Sequence, residues 1–243
     1  MLSKRWPLLS PLEVNPLFFQ VPSYSHFKRL VDFLLALVLI VATAPLLVLA
    51  CLLIKLSSNG PMLYSQVRVG RDRRLFRIYK IRTMHQNCER FSGPQWSQEN
   101  DPRVTPVGRF LRGTHLDELP QLWNVLLGDM SLIGPRPERP EFVEQLEKAI
   151  PRYAERLGVR PGISGLAQVN LPPDSDLDGV RLKLFYDLHY IENLSPSLDL
   201  RLHLSTALFM LGLPFGVSTI LLALRPLEGK QAPLEPTRTT ADF

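Results

Sequence analysis

Asp117 and Glu118 are adjacent carboxylates in the run Thr114-His115-Leu116-Asp117-Glu118-Leu119-Pro120. Pro120 lacks a backbone donor and is tolerated near the start of a helix, so the two acids fall at or just before a first helical turn. Two uses fit that position. Thr114 with Asp117 matches a capping box, and Asp117 could itself be the N-cap. The same helix end exposes backbone donors and a positive dipole end, which favour a bound anion. A nucleophilic carboxylate there would meet a phosphate already steered into place. Spacing alone leaves both uses open.

Basic residues that could hold such a phosphate recur along the chain. Residues 68–82 carry Arg68, Arg71, Arg73, Arg74, Arg77, Lys80 and Arg82. A solvated face touching anionic headgroups and a phosphate site both fit that stretch. Arg136 stands between Pro135 and Pro137, a rigid mount for a planar guanidinium fork that suits phosphate. Arg160, before Pro161-Gly162, is a second arginine in a turn. Asp187 lies near Leu184, Leu188 and Ile191, and a lone Asp in such a place is more often a structural hydrogen-bonding group than a metal ligand.

The elements that must position these residues make an α+β reading. Residues 61–83 read as a β-hairpin, because Met62–Val69 and Leu75–Met84 are rich in β-branched and aromatic residues and 70–74 supply the turn. Residues 86–106 are polar and proline-bearing, a loop. Leu116, Leu119, Leu122, Trp123, Leu126 and Leu127 recur at helical spacing, and Gly128 ends that helix. Glu138–Ile150 and Val180–Glu192 are further helices, with Pro172 and its neighbours forming a loop between them. Leu204–Leu224 is an uncharged apolar segment broken by Gly212, Pro214 and Gly216; it could lie on, dip into or cross a membrane.

Phe33–Ile54 is a second uncharged run of 22 residues. As a helix at about 1.5 Å per residue it would just cross a hydrocarbon core of about 30 Å. Pro45 near its middle kinks or breaks a helix. Lys28 and Arg29 precede the run, and Lys55 follows it. Cytoplasmic flanks carry the Lys/Arg excess, and here both flanks do. A kinked spanning helix and a re-entrant one are both compatible with this pattern.

Lys and Arg outnumber Asp and Glu by 28 to 23 in 243 residues, which fits an anionic partner without choosing among phosphate, nucleic acid and acidic lipid. Cys51 and Cys88 make neither a disulfide framework nor a metal spacing, which favours a reducing compartment. Residues 1–25 hold four prolines and no compact apolar core, so they read as an irregular extension rather than a signal peptide. Residues 225–243 read as a disordered tail.

Five segments, in order, carry a resemblance to a known family. They are FKRLVDFLLALVLIVATAPL (27–46), LFRIYKIRTM (75–84), LRGTHLDELPQLWNVLLGDMSLIGPRP (111–137), VRPGISGLAQVN (159–170) and YDLHYIENLSPSLDLRL (186–202). The chain resembles the bacterial sugar transferases, monotopic phosphoglycosyl transferases that start glycan assembly on a polyprenyl phosphate. The resemblance implies a re-entrant helix hairpin over 26–57, broken at Ala44-Pro45, beneath a small, mostly helical cytoplasmic catalytic domain over 58–203. Residues 204–224 would then be a membrane-associated segment, and the protein would sit on the bacterial inner membrane among its lipids. The resemblance also implies Mg²⁺, a UDP-sugar donor and an undecaprenyl phosphate acceptor. Asp117 would be the nucleophile and a metal ligand, and Glu118 would complete the catalytic pair. Lys80, Arg82, Arg112, Pro135, Arg136, Pro137, Arg160 and Asp187 fall at substrate-binding positions. The family reaction makes a covalent sugar-phosphate enzyme in the initiating step of exopolysaccharide, O-antigen or glycoprotein glycan synthesis.

Three positions depart from the family pattern. Ala44 stands where serine is usual, His115 replaces the serine before Leu-Asp-Glu, and Leu171-Pro172 replaces a Gly-Arg. A non-catalytic, membrane-tethered assembly partner is the main competing reading, opposed by the intact Asp117-Glu118 pair and the Pro-Arg-Pro turn. A nucleic-acid binder with Phe76 and Tyr79 stacking on bases is disfavoured by the apolar run and by the lack of any nucleic-acid motif. A homo-oligomer stays open.

Overall fold

The computed structural model describes residues 22–88, 93, 101–172 and 176–224. The expected tail 225–243, most of the extension 1–25 and much of the loop 86–106 fall outside the described residues. Residues 22–25 do not belong to an irregular extension, because they form the first turn of helix α1 (Pro22–Ser57).

Helix α1 has 36 residues, about 54 Å at 1.5 Å each. The expected interruption at Pro45 is not seen: the helix continues through it. Proline removes a single rung of the ladder, and the rungs on either side can carry the helix past it. The Thr43 hydroxyl donates to Leu39 O at 2.7 Å in this region. Such a back-bond bends helices, so proline and threonine act on the same stretch. Its acceptor is Leu39 O rather than Val41 O, the carbonyl that Pro45 leaves without an N–H, so it does not stand in for a hydroxyl at Ala44.

One stripe of α1 faces protein. Asp32, Ala36, Ala50 and Ile54 are buried, and Ile40 and Leu47 pack alongside them. These positions are three, four or seven residues apart, the spacing of one helix face. The other faces expose Leu34, Val38, Val41, Val48, Leu52 and Leu56. By length and composition α1 is able to cross a membrane.

The hairpin is β1 (Leu63–Val69) paired antiparallel with β2 (Leu75–Ile81), Val69 opposite Leu75. Its turn holds Asp72 and Arg73 at positive φ. Next come α2 (Pro106–Gly113), the turn Leu116–Glu118, α3 (Gln121–Leu127), β3 (Ser131–Ile133) and α4 (Pro140–Ala149). β4 (Gly162–Ser164) runs parallel to β3, with α5 (Leu166–Asn170) and α6 (Leu177–Glu192) after it. Gly134 and Gly162 cross so closely that a Cβ on Gly162 would stand 2.1 Å from Gly134 N.

The apolar stretch 204–224 is not one element. It is the end of α7 (Pro196–Met210), a turn, and α8 (Phe215–Leu221) folded back on α7 and α5. Buried Ser205 and Ser218 share a hydrogen bond of 2.7 Å between the helices. Asn170 Nδ2 donates to Leu224 O at 3.3 Å.

The core is built around α1 as much as around the later elements. Ala36 packs with Phe76, Ile78, Leu122 and Val125. Ala50 and Ile54 pack with Ile81 and Leu111. Phe76 is therefore core and offers no face for a base.

Candidate active site

The Asp117-Glu118 turn is nailed at both ends. Leu116 packs on the cluster of Ala50, Ile54, Ile81 and Leu111, while Leu119 packs on the cluster of Phe76, Ile78 and Leu122. The two carboxylates lie between these anchors. The capping expectation fails here. Thr114 Oγ1 donates back to Phe110 O and Leu111 O at the end of α2. His115, at φ 54°, occupies the N-cap position and makes no side-chain cap. Pro120 does stand at the start of α3, and Gly128, at φ 90°, ends it.

Glu118 is 8% exposed and doubly bridged. It accepts Lys80 Nζ at 2.8 Å and Arg136 Nη2 at 2.5 Å. Burial pushes its carboxyl up, but the Arg136 and Lys80 charges and hydrogen bonds overcome that and hold it well below the usual carboxylate range. Asp117, 6% exposed, accepts no hydrogen bond from the described residues. Burial raises its carboxyl, Glu118 adds to the rise, and Lys80, Arg112 and Arg136 oppose it. One acid is thus a fixed anion and its neighbour an open one.

The cations arrive from separate elements. Lys80 continues the inward row of Phe76 and Ile78 on β2, where alternate residues share a face. Arg112, at the end of α2, donates Nε to Thr83 Oγ1 at 2.8 Å. Arg136 sits on a backbone gripped at three successive carbonyls. Pro135 O accepts Gly162 N at 2.9 Å, Arg136 O accepts Arg156 Nη2 at 2.9 Å, and Pro137 O accepts Arg68 Nη1 at 3.4 Å. The rigid mount read from two prolines is this set of three bonds.

Other expected site residues bond to protein, Arg82 while still lining the dyad's cavity. Arg82 donates to Ser58 O and Ser58 Oγ at 3.0 and 2.8 Å and to Asn59 O, clasping the end of α1. Hydrogen bonds to charged groups contribute about 1.5–3 kcal/mol each, so Arg82→Met is expected to lower the melting temperature while leaving the donor KM near wild type. A melt and a Michaelis curve on one preparation check this. Arg160 Nε donates to Gly128 O at 3.1 Å beyond α3, away from the dyad's cavity. Arg68 pairs with Glu138 at 3.5 Å and Arg73 with Glu147 at 2.9 Å, so part of the basic hairpin is tied to protein.

Asp187, 1% exposed, takes the structural role its apolar neighbours suggested. It accepts Arg156 Nε at 2.9 Å. Arg156 was not singled out from the sequence. A lone arginine in Tyr-Ala-Glu-Arg-Leu has no local pattern, and apart from Tyr153 its partners lie 20 and 31 residues away. Asp199 was also missed: it binds Tyr24, Lys28 and Tyr190 and ties α7 to the start of α1.

Among the described residues no cluster of three His, Cys, Asp or Glu could cage a metal. Mg²⁺ rarely needs such a cage, because it keeps waters and takes one or two carboxylates with substrate phosphates. The unbonded Asp117 carboxylate fits that use; Glu118, already bridged, does not.

Known proteins are similar to this chain across most of its length. A family model described as bacterial sugar transferase matches residues 23–212. The UDP-N-acetylgalactosamine-undecaprenyl-phosphate N-acetylgalactosaminephosphotransferase of Aeromonas hydrophila is 50% identical over 178 residues, 73% of this chain and 42% of that protein. A putative undecaprenyl-phosphate N-acetylgalactosaminyl 1-phosphate transferase of Bacillus subtilis is 47% identical over 135 residues, 56% of this chain and 75% of the relative. The UDP-glucose:undecaprenyl-phosphate glucose-1-phosphate transferase of Caulobacter vibrioides is 45% identical over 183 residues, 74% of this chain and 67% of that protein. The chain therefore spans less than half the length of the Aeromonas relative.

Proposed function

This chain belongs to the bacterial sugar transferase family, and we propose that it moves a sugar 1-phosphate from a UDP-sugar to undecaprenyl phosphate through a covalent bond to Asp117. The carrying observation is the contrast between two adjacent buried acids. Glu118 is bridged by Lys80 and Arg136, while Asp117 keeps its carboxylate open beside three cations.

An Asp117 oxygen attacks the phosphorus bonded to the sugar, the bond from that phosphorus to the UMP oxygen breaks, and UMP departs with the electron pair. The product is an acyl phosphate, a good leaving group. An oxygen of undecaprenyl phosphate then attacks the same phosphorus, and the bond to Asp117 breaks, restoring the carboxylate. Arg136, Lys80 and Arg112 stabilise the charge that gathers on the phosphoryl oxygens in both steps. Glu118 stays ionised and acts as a positioning residue for Lys80 and Arg136. Mg²⁺, held by Asp117 and the donor phosphates, would supply further charge neutralisation.

The names of the relatives support the acceptor and the phosphosugar. The lipid acceptor supports a membrane seat for the exposed apolar faces of α1. Contact with the catalytic body along the stripe from Asp32 to Ile54 supports a re-entrant α1, with both ends on the cytoplasmic face of the inner membrane.

Intact-mass measurement tests the reading. The protein with Mg²⁺ and a panel of UDP-sugars, without acceptor, is expected to gain one sugar phosphate. No adduct with any donor would favour the non-catalytic alternative. A protonated Asp117 cannot attack, and burial and Glu118 favour that form, so adduct formation is expected to fall on acidification. A single-turnover pH profile reads this directly.

A further inference from the structure

We infer that His115 is a positioning residue for the dyad, and that α7 and α8 act on the nucleophile's turn by clamping its ring. This rests on the transfer reaction proposed above and adds a residue that holds Asp117 and Glu118 in register. Neither helix supplies a cation to the dyad, since Lys80, Arg112 and Arg136 come from earlier elements. Their influence runs through one side chain.

His115 stands at φ 54° and ψ 15°, a left-handed conformation that a side chain bears at a cost and keeps where its surroundings hold it. Its backbone joins two elements. His115 N donates to Arg112 O at 3.1 Å, at the end of α2, and Glu118 N donates to His115 O at 3.1 Å. The second bond closes the turn that carries both acids. Leu116 and Leu119 fix where that turn lies, and the His115 carbonyl fixes how it is rotated. A change in the His115 dihedrals therefore swings the Glu118 peptide, and with it the carboxylate that Lys80 and Arg136 bridge.

The ring restrains those dihedrals. It makes no hydrogen bond to the described residues and meets Phe209 edge-on, with centroids 5.3 Å apart and planes at 71°. That is a preferred aromatic geometry, a positive edge against a negative face. Phe209 lies in the last turn of α7 and stacks on Phe215 of α8, 4.0 Å away with planes 4° apart. The 2.7 Å bond between Ser205 and Ser218 holds α8 against α7, so Phe209 is backed from behind. His115 is otherwise exposed, and all three rings line the dyad's cavity. The Phe209 contact thus sets where the imidazole points.

Hydrogen exchange on full-length protein in phospholipid nanodiscs, followed over residues 111–119, tests the clamp without substrate. Phe209→Ala is expected to speed exchange there several-fold, while Phe209→Tyr, which keeps the ring, stays at the wild-type rate. Adduct formation from a UDP-sugar reads the consequence. The partner variant is His115→Asn, because asparagine tolerates the left-handed region without supplying a ring. Phe209→Ala and His115→Asn are each expected to slow the reaction about tenfold at saturating donor, with half-saturation near wild type, and the double variant to be no slower than the worse single one. Unchanged exchange in Phe209→Ala would overturn the inference. Losses that multiply in the double variant would also overturn it, because the two side chains would then act independently. So would a His115→Asn variant that only weakens donor binding, which would place the imidazole on the substrate. Should Phe209→Ala melt too low to assay, Phe209→Leu, which keeps bulk and loses the ring, takes its place in both arms. A wild-type protein that forms no sugar-phosphate adduct would fail the transfer reading alone, and exchange would still decide on the clamp.

Discussion

Asp117→Asn is expected to abolish the sugar-phosphate adduct and to lower transfer on the order of 10⁴- to 10⁶-fold, the scale of loss when a nucleophile or its partners are removed. The amide keeps the shape and loses the nucleophilic charge. Folding should not suffer. The buried Asp117 carboxyl is raised by desolvation and by Glu118, so its ionised form costs the native state stability at neutral pH. A neutral Asn removes that cost, and the melting temperature is expected to hold or rise slightly. Intact mass with a thermal melt of the same preparation separates lost chemistry from lost structure. An Asn variant that still acquires the adduct would place the nucleophile elsewhere. Glu118→Gln should behave differently, because it leaves Lys80 and Arg136 without the anion that gathers them.

Arg156→Met is expected to cost about 3–5 kcal/mol of stability, the range for removing one partner of a buried ion pair. Arg156 is 3% exposed and its partner Asp187 1%. The truncation removes the guanidinium paired with Asp187, and Tyr153 Oη loses its 2.9 Å donor as well. The informative comparison is the double variant Arg156→Met/Asp187→Leu. Replacing a whole buried pair by apolar residues is often neutral, so stability should largely return. Activity should not, because Arg136 O still lacks the donor that fixes its turn. Chemical denaturation read beside kcat and KM checks both halves. A double variant restored in stability and turnover alike would reduce Arg156 to a purely structural residue.

The parts of this protein that were legible from the sequence are those set by local chemistry. The hairpin showed because its strands are rich in β-branched and aromatic residues and 70–74 supply a turn. Helix α3 showed because leucines recur at helical spacing between Pro120 and Gly128. The dyad showed because Leu116 and Leu119 bracket it in a dense motif. What stayed hidden depends on residues far apart. Three-residue strands β3 and β4 are too short to carry a pattern, and their pairing is governed by the Gly134–Gly162 approach. His115 at positive φ has no sequence mark, since only glycine advertises that region. Arg82 looked like its basic neighbours yet clasps the end of α1, which no spacing rule foretells. At Pro45 the helix continues where a kink or a break was read. A proline signals a lost rung, but tertiary packing decides whether the helix parts there.

The buried stripe of α1 carries a practical consequence. Phe76, Ile78 and Leu122 meet Ala36, and Ile81 and Leu111 meet Ala50 and Ile54. A preparation trimmed at residue 58 to gain solubility would bare those surfaces and forfeit part of two cores. Nor could a generic anchor replace α1, because alanines at 36 and 50 admit the close approach that larger side chains would block. Biochemistry on this protein belongs in detergent or nanodiscs from the first purification step.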